Sequence, residues 1–266
     1  MTASSDAGLL SSLEGRVLCL TLNRPDKRNA LSLALCRAIV TAVEEAWRDE
    51  RVGAILLRGA GRSFCAGMDL GEMLTPEFTT GAASSLSHVH ERLFTLGLRS
   101  PKPVLAAVQG AALAGGTGLV ANAHIVIAAE DAQFGLTEIR IGLWPFIVFR
   151  AVSLALGERR AVELALTGRV LGAEEGARLG LVHQVVPAAE FEARVWETAQ
   201  AIANSSPAAV RSGLLFVAES RRLQWDKGGE IAWQYREELF KSADFAEGIR
   251  AFREKRPPRW PSTGEA

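Results

Sequence analysis

Residues 110–120, GAALAGGTGLV, hold four glycines, three alanines and no charge, between the apolar runs KPVLAAV (102–108) and HIVIAA (124–129). Glycine is entropically costly in a regular element, and alanine would serve packing better. The composition therefore implies that something approaches this backbone very closely. Within it, GTGLVA (116–121) matches the G-x-G-x-x-A pattern that brings a pyrophosphate to a helix N-terminus. That fingerprint begins where its strand ends, and its helix runs several turns before the next strand. Gly116 lies eight residues past Val108, and too few residues separate it from HIVIAA for a crossover helix, so the spacing argues against a dinucleotide. A P-loop and a G-x-S-x-G elbow are absent. His88 and His90 are the one close pair among four histidines. An H-x-H without further ligands is a weak metal signal, and a solvated helix face is expected for both. Cys19, Cys36 and Cys65 are an odd, scattered set without CxxC spacing, which reads as reduced thiols. No metal site is expected.

The elements around this stretch alternate. RVLCLTLN (16–23) and GAILLRG (53–59) read as strands, as do VLAAV and HIVIAA. Ser32 stands at a helix N-cap position, followed by apolar residues at helical spacing, Leu35, Ile39, Val43 and Trp47. GRSFCAGMDLGEML is a Gly-rich loop turning into a short helical piece, and residues 86–98 read as a helix. Short, nearly continuous apolar strands separated by helices predict a buried, largely parallel sheet. Beyond residue 145 the pattern is mostly helical, interrupted by the short strand LVHQVVP. The last sixty residues are helix-like and carry Phe216, Trp225, Trp233, Phe240, Phe245 and Phe252. Two readings stand side by side: these rings dock on the chain's own core, or some dock on a partner subunit.

Thirty basic residues balance thirty acidic ones, so the charge footprint of a nucleic-acid or anionic-membrane binder is missing. No stretch reaches the roughly 18 apolar residues that a membrane span needs. The start, MTASSDAGLL, lacks a basic region followed by a long apolar one, so no signal peptide is read and a cytoplasmic location is expected.

Four segments, LNRPDKRNALS (22–32), RSFCAGMDL (62–70), AAVQGAALAGGTGLVANAHIVIA (106–128) and AQFGLTEIRIGLWP (132–145), occur together in one order. A fifth is GIRAFREKRPPRW (248–260). In these segments and their spacing the chain resembles the crotonase superfamily, the enoyl-CoA hydratase/isomerase family, over nearly its whole length. The resemblance implies an α/β fold, a spiral of strand–strand–helix turns with a C-terminal helical region. It divides the chain into an acyl-CoA-binding catalytic core, 1–205, and a helical oligomerisation region, 206–266. It also implies chemistry. An acyl-CoA thioester is held between two backbone N–H groups, those of Met68 and Gly115, which stabilise the oxygen as it becomes an enolate. Gly115 should open a helix, whose dipole favours the same negative charge.

By the same resemblance Arg28, Ala30, Ala66, Gly67, Asp69, Leu70, Leu113 and Gly116 contact the acyl-CoA. Arg28 either meets a CoA phosphate or is a solvated loop charge. Phe252 and Lys255 match positions near the adenine end of CoA. Hydratases of the family typically use two glutamates; here Glu138 matches the second, and Gly118 stands where the first would be. Gly118 should then face the thioester pocket. The remaining acids between Pro103 and Pro145, Glu130 and Asp131, read as solvated turn residues.

A single carboxylate can take a proton and return it. Hydration of an enoyl-CoA is the favoured reading, because family members with Gly at the 118 position resemble hydratases of branched substrates. Double-bond isomerisation by the same glutamate is the alternative, and a non-catalytic acyl-CoA-binding protein the third. No separate cofactor is expected, since coenzyme A enters with the substrate. Self-association as a trimer or dimer of trimers is expected, without nucleic acid or membrane.

Overall fold

The apolar runs form the centre of the molecule. A computed structural model describes residues 7–74 and 84–264. Its strands are β1 (Leu9–Glu14), β2 (Val17–Leu22), β3 (Ala54–Gly59), β4 (Val104–Val108), β5 (Ala111–Leu113), β6 (Ile125–Ala129), β7 (Gln133–Gly135), β8 (Leu171–Gly172) and β9 (Gln184–Val186). The main sheet runs β1-β2-β3-β4-β6-β9, with every pairing parallel except the β1–β2 hairpin. The second runs β5-β7-β8. The expected parallel, buried sheet is therefore present. Strand β1 was not legible as a strand. Its pattern LLSSLE is half polar and mostly exposed, because it lies at the sheet edge beyond a tight turn at Gly15.

The main helices are α1 (Leu33–Ala46), α2 (Ser84–Leu93), α3 (Gly115–Asn122), α4 (Phe146–Leu156), α5 (Glu158–Thr167), α6 (Ala173–Leu179), α7 (Phe191–Ala203), α8 (Pro207–Ser220), α9 (Trp225–Phe240) and α10 (Ala243–Glu254). Alternation along the central strands divides the core. Val17, Cys19, Ala54, Leu56, Leu105, Ala107 and Ile127 pack beneath α7. Leu18, Leu20, Ile55, Leu57, Val104, Ala106 and Val126 face the opposite layer, with α1 and the second sheet. Each large side chain so buried contributes about 1.5–3 kcal/mol.

Each turn of the chain passes from the main sheet into the second layer and then into a helix. The bridges Leu31↔Met68 and Cys65↔Ala112 carry the early loops into that layer beside β5. This is the expected strand–strand–helix spiral. The expected lack of room for a helix after Gly116 is corrected. Gly115–Asn122 is a helix, and it does connect neighbouring parallel strands, β4 and β6. Eight residues suffice because β5 has already carried the chain out of the main sheet. Among the described residues no helix is long and apolar enough to cross a membrane.

Ser32 caps α1 as expected: its Oγ accepts from the Leu35 N–H at 3.2 Å, while a Glu72 carboxylate oxygen accepts from the Leu33 N–H at 2.7 Å. Ser32→Ala should lower stability by about 1 kcal/mol, read as an earlier urea midpoint with an unchanged slope.

The C-terminal helices correct one of the two readings of the aromatic rings. Trp225 (93% exposed), Trp233, Phe240, Phe245 and Phe252 (84%) stand open on the chain, and Phe216 packs edge-on against Tyr235 rather than into the core. What does fasten this region is polar. Buried Asp244 accepts from the Ser206 and Ser262 hydroxyls, each at 2.6 Å, and buried Glu247 pairs with Arg256 at 2.6 Å.

Candidate active site

Two loops meet at the start of α3. Leu31 donates to the Gly67 carbonyl at 2.8 Å and accepts from the Asp69 N–H at 3.0 Å. This parallel bridge turns the intervening Met68 N–H away from Leu31. On the other side Cys65 donates to Ala111 at 3.0 Å and accepts from Leu113 at 2.9 Å, tying the same loop to β5. Ala114 then donates to Gly135 at 2.8 Å, and Gly115 opens α3, where an N–H has no partner inside the helix. Among the described residues neither the Met68 nor the Gly115 N–H is hydrogen-bonded.

The junction is tight. A Cβ added to Gly67, whose φ is +97°, would lie 2.8 Å from the Ala114 Cβ and 3.4 Å from the Gly115 nitrogen. A Cβ on Gly116 would fall 2.2 Å from the Cys65 carbonyl oxygen. The close approach expected at this backbone is made at least in part by the protein's own chain. Gly116 is small because the neighbouring backbone lies against it. Ala114 holds φ 50° and ψ −118°, a conformation costly for a residue with a Cβ. Buried Thr117 helps hold it: its hydroxyl donates to the Ala112 carbonyl at 2.7 Å and accepts from the Gly135 N–H at 3.0 Å. Thr117 carried no signal of this role in the sequence.

A cavity of about 360 Å³ opens beside this junction. Ala66, Met68, Leu70, Ala114 and Gly115 line it, together with Leu143 to Val148. Glu138 also lines it, at the head of the turn Glu138–Ile141. Its Oε2 is buried and has no hydrogen-bond partner among the described residues. Burial pushes the carboxyl above its ordinary value. An unbonded carboxylate oxygen on an apolar cavity wall can move a proton to or from whatever fills that cavity.

His90 corrects the expectation for the histidine pair. His88 is exposed, but His90 is only 8% exposed and lines the same cavity from α2. Desolvation holds its imidazole below the ordinary value, opposed by the charge of Glu72. Among the described residues no group of three or more His, Cys, Asp or Glu could hold a metal ion. All three cysteines are buried and unpaired, and burial pushes the Cys36 and Cys65 thiols up to about 12.

The other expected positions scatter around the junction. Gly67 and Gly116 lie in the loop contact, and Leu113 ends β5. Asp69 is engaged elsewhere. Its carboxylate pairs with Arg24 at 2.8 Å, which holds its pKa low, and accepts from the Gly71 N–H at 3.1 Å. Arg28 is exposed, with φ +49°. The Ala30 carbonyl accepts from Arg24 at 2.6 Å. Fully buried Asn29 pins this loop, donating to the Ala60 and Ser63 carbonyls at 2.9 and 2.7 Å. Lys255 ends α10 at φ +52°, and Glu130 and Asp131 are exposed, as expected.

Position 118 differs from expectation. A Cβ on Gly118 would lie 2.5 Å from Val148 Cγ1 and 3.1 Å from Phe94 Cδ1. Both residues line the cavity, so Val148 fills the space that a side chain at 118 would need.

The enoyl-CoA hydratase/isomerase family matches residues 12–263. Enoyl-CoA hydratase EchA19 of Mycobacterium tuberculosis is 35% identical over 266 residues, covering 97% of this chain and 98% of that protein. The mevalonyl-coenzyme A hydratase sidH of Aspergillus fumigatus is 38% identical over 269 residues, covering 95% and 94%. A crystal structure of enoyl-CoA hydratase from Mycobacterium smegmatis superposes with a TM-score of 0.88 at 32% identity, covering 96% of this chain and 99% of that one.

Proposed function

The chain belongs to the enoyl-CoA hydratase/isomerase family, and from that premise we propose that it hydrates an enoyl-CoA thioester with Glu138 as its acid/base. The observation that carries this reading is the buried Glu138 Oε2, unbonded among the described residues, on the wall of a cavity that Met68 and Gly115 also line. The thioester oxygen accepts from the Met68 and Gly115 N–H groups. As negative charge develops on that oxygen, these preorganised donors and the N-terminus of α3 stabilise it. Glu138 takes a proton from water as the water oxygen bonds to the β carbon, and the proton is returned to the α carbon.

The names of relatives as hydratases support this choice. The alternative is isomerisation. It is favoured by the occupancy of the 118 side-chain space by Val148, which leaves Glu138 as the one carboxylate on the cavity wall among the described residues. Here Glu138 removes a proton from one carbon of the acyl chain and returns it to another. A panel of enoyl-CoA thioesters separates the two by product mass: hydration adds one water, whereas isomerisation leaves the mass unchanged. Coenzyme A arrives with the substrate, and the reaction needs no further cofactor. Arg28 and Ala30 lie on the proposed CoA path.

We also propose that the open rings of α9 and α10 face a second copy in a trimer or dimer of trimers, in the cytoplasm. Exposed aromatic surface on this scale is unusual for a monomer. Deleting residues 206–266 should give aggregated protein by light scattering, because the Ser206–Asp244 fastening and the helices it holds are lost together. A well-behaved, fully active monomer after this deletion would overturn the assignment.

A further inference from the structure

Among the described residues, the ionisable or hydroxyl side chains on the otherwise largely apolar cavity wall are Glu138, Thr137 and His90. Glu138 belongs to the proton chemistry above, and Thr137 is its chain neighbour. His90 stands apart on α2. Phe94 is one helical turn further on; its N–H donates to the His90 carbonyl at 2.9 Å. The Phe94 ring reaches the head of α3, where a Cβ on Gly115 would lie 3.3 Å from its Cζ. Residues four apart share a helix face, so His90 stands one turn, about 6 Å of backbone rise, from Phe94, whose ring abuts the Gly115 donor. An acyl group whose oxygen sits at Gly115 therefore has Phe94 beside it. A few carbons of chain bring it to His90.

His90 presents a polar ring to the cavity from α2. A pocket that reads a polar substituent needs one or a few hydrogen-bonding groups among apolar ones. Near 360 Å³ the cavity is at the small end for ligand sites, which favours short acyl groups. We propose that His90 is a specificity-determining residue, and that the preferred substrates are short enoyl-CoA thioesters whose acyl chain carries a hydroxyl or carbonyl oxygen within its reach. This rests on the assignment of the cavity as the acyl site with Glu138 as its acid/base. The imidazole donates to that oxygen, or accepts from its hydroxyl. Neutral imidazole suits this task, and its desolvated setting keeps it neutral.

The test compares each short, straight-chain 2-enoyl-CoA with its hydroxylated counterpart, using kcat/KM for wild type, His90→Leu and His90→Gln. Wild type should favour the hydroxylated member by about tenfold, the worth of one well-placed hydrogen bond. In His90→Leu that ratio should collapse towards one, and His90→Gln, which keeps a donor and an acceptor, should retain part of it. Calorimetric affinities for saturated hydroxyacyl-CoA and acyl-CoA should show the same ratio without turnover, and dichroism checks folding. Equal preference in wild type, or a ratio unchanged in folded His90→Leu, overturns the assignment of His90 and leaves Glu138 untouched. Turnover that is equal in wild type and Glu138→Gln overturns the premise instead.

Discussion

Glu138→Gln is expected to reduce turnover by about 10²- to 10⁴-fold while acyl-CoA binding stays within a few-fold. Glutamine keeps the size and one oxygen of the side chain but cannot exchange a proton. The binding contacts expected from Met68 and Gly115 are backbone and are not altered. The same substitution should raise thermal stability. Burial lifts the Glu138 pKa above the ordinary 4.5. A carboxyl whose folded pKa exceeds its unfolded value costs stability once it ionises. That cost is present above the folded pKa and disappears as pH falls below the unfolded one. Glutamine carries no such cost, so the variant should melt higher than wild type at neutral pH, and the gap should close in acid. Wild-type turnover through the ionised base should climb with pH across the raised pKa, a limb the variant lacks. Stopped assays of enoyl thioester absorbance and melting curves over pH check both halves. Near-normal turnover would place the proton chemistry elsewhere.

The second large effect is expected from Gly116→Ala. The added Cβ falls 2.2 Å from the Cys65 carbonyl oxygen and 3.0 Å from its carbon, and both are backbone atoms. Cys65 is itself held by Ala111 and Leu113, so the loop cannot step aside without breaking a bridge to β5. Overpacking of this kind costs about 1–3 kcal/mol. It also moves the loop that carries Met68 relative to Gly115. A misplacement of about 1 Å in a preorganised site costs roughly 10²-fold in rate. Turnover should therefore fall far more than the loss of folded protein explains, which chemical denaturation and kcat on the same preparation would resolve. An alanine variant with wild-type stability and rate would mean that the two loops are not held in this contact.

Local rules reached much of this chain. The strands β4 and β6 are continuous Val, Leu, Ile and Ala runs, and β2 and β3 nearly so, broken by polar Thr21 and Arg58; they were legible because burial on both faces leaves few polar positions to interrupt them. Ser32 was legible as a cap because its hydrogen bond closes within three residues. The grouping of Met68, Gly115 and Glu138 was implied by the family resemblance, and all three line one cavity.

What the sequence could not carry were relations between segments far apart in the chain. The helix at Gly115–Asn122 is poor in intrinsic propensity, with three glycines; it is held by burial and by the Thr117 bonds to Ala112 and Gly135. His90 and His88 are equivalent by spacing, and only the face that α2 turns to the cavity separates them. Gly118 and Val148 lie thirty residues apart, yet one fills the space the other leaves. The C-terminal rings are as apolar as the core yet most stand exposed, while polar contacts of Asp244 and Glu247 fasten α10. Composition and periodicity determine which faces are apolar; what each face meets is decided only when the whole chain packs.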